Sequence, residues 1–184
     1  MGNERKNLIN IMILGLDIST SITGATILND DGDVVVCEHW DLRKYKDFFE
    51  KAEVIKSRLL KIKPEYKISS IWIEQSLQSF RTGFSSAKTL STLARFNGTV
   101  SWLCYEMFGY KPNYIGASSA RKQCGIKISR GQKAKEIVLN YVLDNEPEFV
   151  VEYTKHGNPR PGSYDRADSL IVAKAGFLEW KQKN

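Results

Sequence analysis

The first apolar run of the chain, Ile11–Ile18, is broken only by Gly15 and by Asp17 near its end. A short run with no helical spacing of polar positions reads as a strand buried on both faces. Ile22–Leu28 is a second such run, Asn29-Asp30-Asp31-Gly32 is a turn, and Asp33–Trp40 is a third strand. The chain therefore opens with an antiparallel three-strand meander. From Asp47 the period changes. Phe48, Ala52, Ile55, Leu59 and Ile62 recur at steps of three and four, while Lys51, Lys56, Arg58 and Lys61 take the other face. This spacing predicts a helix over Asp47–Ile62 that Pro64 stops. Ile68–Glu74 is again a short apolar strand, closed by an acid, and a polar loop, Gln75–Phe84, follows it. Ser85–Phe108 reads as a long helix with Gly109 at its C-terminal stop. Asn113–Gly116 is a short strand, Ser118–Cys124 a helical turn, Gly131–Leu143 a helix and Tyr164–Trp180 the last helix. The irregular loop from His156 to Gly162 leads into that last helix. A meander followed by alternating helices and strands predicts an α/β fold: a mixed five-stranded sheet flanked by helices.

Composition narrows the class without altering this outline. The length of 184 residues suits a single domain over 1–184, with the polar segment 1–10 expected to be a flexible tail. The 42% hydrophobic content is that of a globular protein with a core of its own. Cys37, Cys104 and Cys124 are odd in number and widely spaced, with no CxxC. That excludes a disulfide framework or zinc knuckle and fits a reducing, cytoplasmic setting, which would be the host cytoplasm for a viral protein. The segment before the first strand lacks a signal-peptide layout, and Ile11–Ile18 is too short to span a bilayer, so no membrane partner is expected. The formal net charge of +6 and the pI of about 9.2 favour a polyanionic partner.

Four acids then stand out by position. Asp17 ends the first strand, ahead of the small polar run Ser19-Thr20-Ser21, and Glu74 ends the fourth, behind Ile71-Trp72-Ile73. Parallel neighbouring strands would bring both to one end of the sheet, where ligands bind in such folds. Asp165 and Asp168 open the last helix three residues apart and share a face. Each has a plainer reading: a turn cap at Asp17, a solvent-facing strand end at Glu74, and N-terminal helix capping at Asp165 and Asp168. Capping explains Asp165 best and Asp168 least, because Ala167, Leu170, Ile171, Ala173 and Ala175 surround the latter. Converged carboxylates suit a hard divalent cation, Mg2+ or Mn2+. Two ions about 4 Å apart would clamp the attacking and leaving oxygens of a phosphodiester hydrolysis.

The segment Gly15-Leu16-Asp17-Ile18-Ser19-Thr20-Ser21-Ile22-Thr23-Gly24 resembles the opening motif of RuvC-type Holliday-junction resolvases, in their cellular or phage-type forms. Ile73-Glu74-Gln75 resembles their second motif, and Asp165-Arg166-Ala167-Asp168-Ser169-Leu170 their closing acidic helix. The stretch from Ser119 through Gly125 to Gln132-Lys133-Ala134-Lys135 is similar to their basic segment. The resemblance implies an RNase H-like fold and a homodimeric endonuclease that uses Mg2+ or Mn2+ to place paired nicks across four-way DNA junctions. Asp17, Glu74, Asp165 and Asp168 would be its catalytic metal ligands. Arg121, Lys122, Lys133 and Lys135 would meet the DNA backbone, although Lys133 and Lys135 also read as a solvated helix face. The family often carries an aromatic residue three positions after the glutamate; Leu77 stands there, with Phe80, Arg81 and Phe84 further along the loop as DNA contacts. That departure leaves a looser branched-DNA or fork nuclease open. An RNA–DNA hybrid ribonuclease and a non-catalytic junction-binding protein are further alternatives. Sugar kinases and actin-like ATPases share a Gly-x-Asp strand but need a second domain and a second copy of the motif. Arg43–Lys67 reads as a solvated helix face, whereas Arg81–Lys88 and Arg121–Lys135, with Lys155 and Arg160, flank the acids. His39 carries no assigned role, and His156 reads as a surface-loop residue.

Overall fold

A computed structural model describes residues 11–75 and 86–183. The expected tail, and the loop holding Leu77, Phe80, Arg81 and Phe84, lie outside the described residues. The elements are β1 (Met12–Asp17), β2 (Ile22–Leu28), β3 (Val34–Asp41), α1 (Phe48–Glu65), β4 (Ile68–Glu74), α2 (Ala87–Phe108), β5 (Asn113–Ile115), α3 (Ala117–Gln123), α4 (Ala134–Asn145) and α5 (Ser163–Lys183). The sheet has five strands in the order β3-β2-β1-β4-β5. β1 and β2 pair antiparallel, as do β2 and β3, whereas β1–β4 and β4–β5 are parallel. This is the mixed, helix-flanked sheet that the order of elements predicts.

Local chemistry explains most boundaries. The meander turn is closed by Asn29, whose side-chain oxygen accepts from Asp31 N (3.1 Å) and Asp33 N (2.8 Å), while Gly32 takes φ 87°. Asp47 caps α1 by accepting from the N–H groups of Phe49 and Glu50, and Glu50 returns the contact to the Asp47 N–H. Ser86 caps α2 through Thr89 N, and Gly109 ends it in the left-handed conformation. Two expected boundaries are corrected. Pro64 does not stop α1 but lies in its last turn, where the missing N–H forfeits one hydrogen bond and Tyr66 N still reaches the Ile62 carbonyl at 2.9 Å. Gly131 does not begin α4: its φ of 86° is incompatible with a right-handed helix, which starts only at Ala134.

Both faces of the sheet are covered, which is why β1 is apolar on successive residues rather than alternate ones. Leu14, Leu16, Ala25, Ile27, Trp40, Ile71 and Ile73 pack with α1 and with Phe96, Val100 and Cys104 of α2. Ile13, Leu28 and Trp72 pack on the other side against α4 and the buried stripe of α5. Phe96 of α2 belongs to the core, while Trp102 stays 59% exposed. Among the described residues no helix is long and apolar enough to cross a membrane.

Helix α5 crosses β1 and β2 where side chains are missing. A methyl group on Gly24 would overlap the Asp165 carbonyl oxygen, and one on Gly15 would lie 2.6 Å from the Ala173 backbone N and Cβ. Behind this contact the Thr26 and Ser169 hydroxyls meet at 2.9 Å in the core, and Ser169 also donates to the Arg166 carbonyl at 2.9 Å. The seam gives a test. Gly24→Ala must push backbone from backbone and is expected to lower stability by about 1–3 kcal/mol or more. Gly98→Ala, on α2 with nothing within 4 Å of the added methyl, should raise it by up to about 1 kcal/mol. Urea denaturation of the two variants measures the difference; equal stabilities would refute the tight seam.

Candidate active site

Strand register determines which side chains share a face. Asp17 pairs with Gly24, and Gly24 with His39. Leu16 pairs with Ile73, one step before Asp17 and Glu74. Directly opposed residues project to the same face, so His39, Gly24, Asp17 and Glu74 form one row across β3, β2, β1 and β4. The face is the one that α5 covers, because the bare Cα of Gly24 meets Asp165. Thus the first turn of α5 is set down beside the strand-end acids, with Asp168 one turn further on.

The end of each element is held by its own chemistry. After Asp17, Ser19 Oγ accepts from Ser21 N (3.1 Å) and Ile22 N (3.0 Å) and donates to the Ile22 carbonyl (2.8 Å). Lys51 of α1 donates to the Thr20 carbonyl at 2.6 Å. The turn satisfies its own polar groups and leaves Asp17 to the cleft. At β4, buried Asn97 of α2 donates from Nδ2 to the Glu74 carbonyl at 3.0 Å, pinning the strand end. Asn97 is a positioning residue that the sequence pattern leaves unremarked; its signal is a polar side chain inside the apolar stripe of α2.

The four acids are recessed yet none is fully covered. Burial, and then the charges of Glu74, Asp168 and Asp165, hold the Asp17 carboxyl well above the usual carboxylate range. Burial and Asp168 push Glu74 up to about 7, against the opposing pull of Arg121 and Lys135. Asp168 is raised to about 6 by burial, with Asp165 adding to the rise and Lys135 and Arg121 opposing it. Asp165 is raised chiefly by burial; Lys135, its own backbone N–H, His39 and Arg43 counter the shift. No ion pair to another described residue neutralises any of them. Asp17 thus feels the charges of Glu74, Asp165 and Asp168, Glu74 that of Asp168, and Asp168 that of Asp165. The structure does not draw the four to ligand distance: among the described residues, no group of three or more His, Cys, Asp or Glu is placed to hold an ion as it stands. Their donor set, oxygen only and without a direct ion pair among the described residues, still fits a hard divalent cation better than any soft one.

The basic residues divide. Arg121 and Lys135 act on the acids across the cleft, Arg121 being steadied by its Nε donating to the Ala117 carbonyl at 2.8 Å. Lys133 precedes α4 and turns to Glu136, 2.9 Å away. Lys122 is exposed on α3 and is not among the charges acting on the acids. Arg43, which the sequence pattern assigns to a solvated face, and His39, which it leaves without a role, both act on Asp165. Strand pairing through Gly24 carries His39 there, and the hydrogen bonds to Asp41 at the end of β3 hold Arg43.

A pH dependence follows. The folded-state pKa values of these acids lie above the unfolded ones, so the folded chain holds more protons between roughly pH 4 and pH 7. The stability of protein kept in a chelator is fully present below about pH 4 as far as this term goes. It is predicted to fall as the pH rises through about 6 and 7, where Asp168 and Glu74 ionise in the folded state. Asp41, lowered to about 2 by its hydrogen bonds from Arg43, titrates below that window. Asp168→Asn should flatten the decline and raise the melting temperature at neutral pH by about 2–4 °C per kcal/mol of repulsion relieved. Calorimetry in EDTA from pH 4 to 8 decides it; a melting temperature that climbs across this range would contradict the electrostatics.

No protein-family model matches the sequence, and no curated protein is similar to it in sequence. Solved structures are similar in fold. Thermus thermophilus RuvC in complex with a Holliday junction substrate aligns with a TM-score of 0.67 at 16% identity, over 93% of this chain and 96% of that one. A second Thermus thermophilus RuvC structure gives 0.61 at 17% identity, over 94% and 96%. The yeast mitochondrial Holliday junction resolvase Ydc2 gives 0.59 at 14% identity, over 93% and 79%. Over nearly its whole length the chain has the RuvC-type, RNase H-like fold.

Proposed function

We propose that the chain is a divalent-metal-dependent endonuclease that cuts branched DNA and resolves four-way junctions by paired nicks. The observation that carries this reading is the convergence of Asp17, Glu74, Asp165 and Asp168, from two strands and a helix, with no neutralising ion pair among the described residues. Glu74 and Asp17 ride on adjacent strands of a rigid sheet, and Asp165 and Asp168 on a helix seated by backbone contact. Reorientation of these side chains would gather the four onto Mg2+ or Mn2+, two ions per site being the full complement. Such ions, when bound, supply Lewis-acid polarisation of the scissile phosphate. Arg121 and Lys135 face the acids and orient the incoming phosphate by charge and hydrogen bonding. Lys122 and Lys133 extend the cationic wall towards the flanking backbone, and Leu77, Phe80, Arg81 and Phe84, in the loop after Glu74, are DNA contacts in this reading. The likeness of the fold to structures named as Holliday junction resolvases supports the choice of DNA branch as substrate.

A homodimer completes the proposal, because symmetric nicks across a two-fold junction need two sites. Trp102 and Tyr105 project from α2 with rings 5.8 Å apart and remain 59% and 41% exposed, an aromatic patch on the helix opposite the acids' face of the sheet. Trp102→Ala is expected to shift the sedimentation coefficient towards that of a 20.9 kDa monomer.

Cleavage of four-way junction, fork, RNA–DNA hybrid and duplex, each with Mg2+ and with EDTA, tests the activity. Junction cutting is expected only with the metal, and Asp17→Asn should reduce it by roughly a hundredfold or more, since even indirect support of a metal ligand is worth 10–100-fold. Cutting that persists in Asp17→Asn sinks the reading. Preference for the hybrid would redirect it to a ribonuclease, and tight junction binding without cutting to a structural junction binder.

A further inference from the structure

A cavity of about 440 Å3 opens on the β3 side of the acids, away from Arg121 and Lys135. His39, Arg43, Arg160, Arg166 and Ser163 line it, with Glu152 as the one lining carboxylate. We propose that this cavity is a second phosphate subsite, which takes a DNA phosphodiester neighbouring the one that the acids act on. The proposal rests on the nuclease reading above and extends it to residues that reading does not use.

Three observations support it. The first is position. His39 occupies the same row as Asp17, its ring lies where a methyl on Gly162 would be, and both His39 and Arg43 act on the Asp165 carboxylate. A nucleic-acid backbone that presents one phosphate to the acids passes this cavity or the opposite wall with the next.

The second is preorganisation. Arg43 is locked by a fork to Asp41, with Nε to Oδ1 at 2.9 Å and Nη2 to Oδ2 at 2.5 Å. That uses two of the five guanidinium N–H groups and leaves three for an acceptor. Arg160 sits on a short hairpin closed by the Tyr153–Pro159 bridge and by Thr154 N to the Asn158 carbonyl at 2.8 Å. Its own N–H donates to the Glu152 carbonyl at 2.8 Å, whereas its side chain reaches the Glu152 carboxylate at only 3.5 Å and is 62% exposed.

The third is the floor. Arg166 donates from Nη2 to the Val150 carbonyl at 2.5 Å and lies over the Phe149 ring at 4.4 Å, and its Nε is buried with no hydrogen-bond partner. Three arginines stand against two carboxylates, Glu152 and the Asp41 that holds Arg43, so one positive charge remains, and the first turn of α5 adds its N-terminal dipole to the same place. Planar forks of this kind suit phosphate oxygens.

The experiment is a methylphosphonate scan: a four-way junction with single neutral linkages, bound in EDTA to wild type, Arg43→Ala, Arg160→Ala and Arg43→Lys. In the wild type one neutral linkage beside the cut position should weaken binding roughly tenfold, the loss of one charge-assisted contact. Each alanine variant should weaken binding similarly and lower the log–log salt slope by roughly 1. Neutralising that same phosphate should then cost the variants nothing more, with Arg43→Lys partly restoring the wild-type pattern. Unchanged affinity, slope and interference pattern in both alanine variants overturn the subsite. So does a loss spread evenly over all linkages, which is the mark of structural damage. A wild type that binds and cuts junctions while the variants are unaffected overturns this proposal alone; a wild type that binds no branched DNA overturns the nuclease reading and the subsite together.

Discussion

Helix α5 lies so close to β1 and β2 that its nearest approaches to the sheet fall on glycines. Gly15 faces Ala173, Gly24 faces the Asp165 carbonyl, and Gly176 on the helix itself makes room for Trp72. A side chain at any of these points would lift the helix or rotate it. Because Asp165 and Asp168 belong to the same rigid rod, the seam also sets their height and angle over Asp17 and Glu74. The candidate site is thus a by-product of packing: one helix, seated on bare backbone, delivers two acids to the ends of two strands.

Bringing four carboxylates together works against the fold that does so. Burial raises all four pKa values, repulsion adds to the rise at Asp17, Glu74 and Asp168, and Lys135, joined by Arg121 at Glu74 and Asp168, only partly offsets this. The surrounding framework holds the acids in place despite the repulsion. Asn97 pins β4, Ser19 and Lys51 hold the turn after β1, and Thr26 with Ser169 ties β2 to α5 within the core. Local destabilisation at a cleft, supported by satisfied groups around it, is the pattern expected where charge is kept ready for a ligand.

The cleft is also walled unevenly. One group of cations comes from α3 and the start of α4; the other comes from the end of β3 and the hairpin before α5. The acids sit between two positive borders, which is the electrostatic form of a trough for a polyanionic backbone. The excess of basic residues in the composition is therefore arranged as well as abundant.

Much of this was legible in the amino-acid order. Apolar runs, the change of period at Asp47, and the Asn29–Gly32 turn specified the strands, the helices and the mixed sheet, because those signals act within a few residues of one another. The placement of the acids at strand and helix ends was legible for the same reason. Helix limits near Pro64 and Gly131 depart from the local signals: one absent N–H in a final turn is tolerated, and a glycine's sign of φ is decided by the loop it serves. What the sequence determined by itself, then, was the elements and the acids they carry. Only the tertiary structure decided the row His39–Gly24–Asp17–Glu74, the approach of Asp165, and which cations act on the acids, Arg121, Lys135 and Arg43, while Lys133 turns to Glu136. Strand pairing joins residues tens of positions apart and backbone contact with α5 residues more than a hundred apart, and no local spacing encodes such distances.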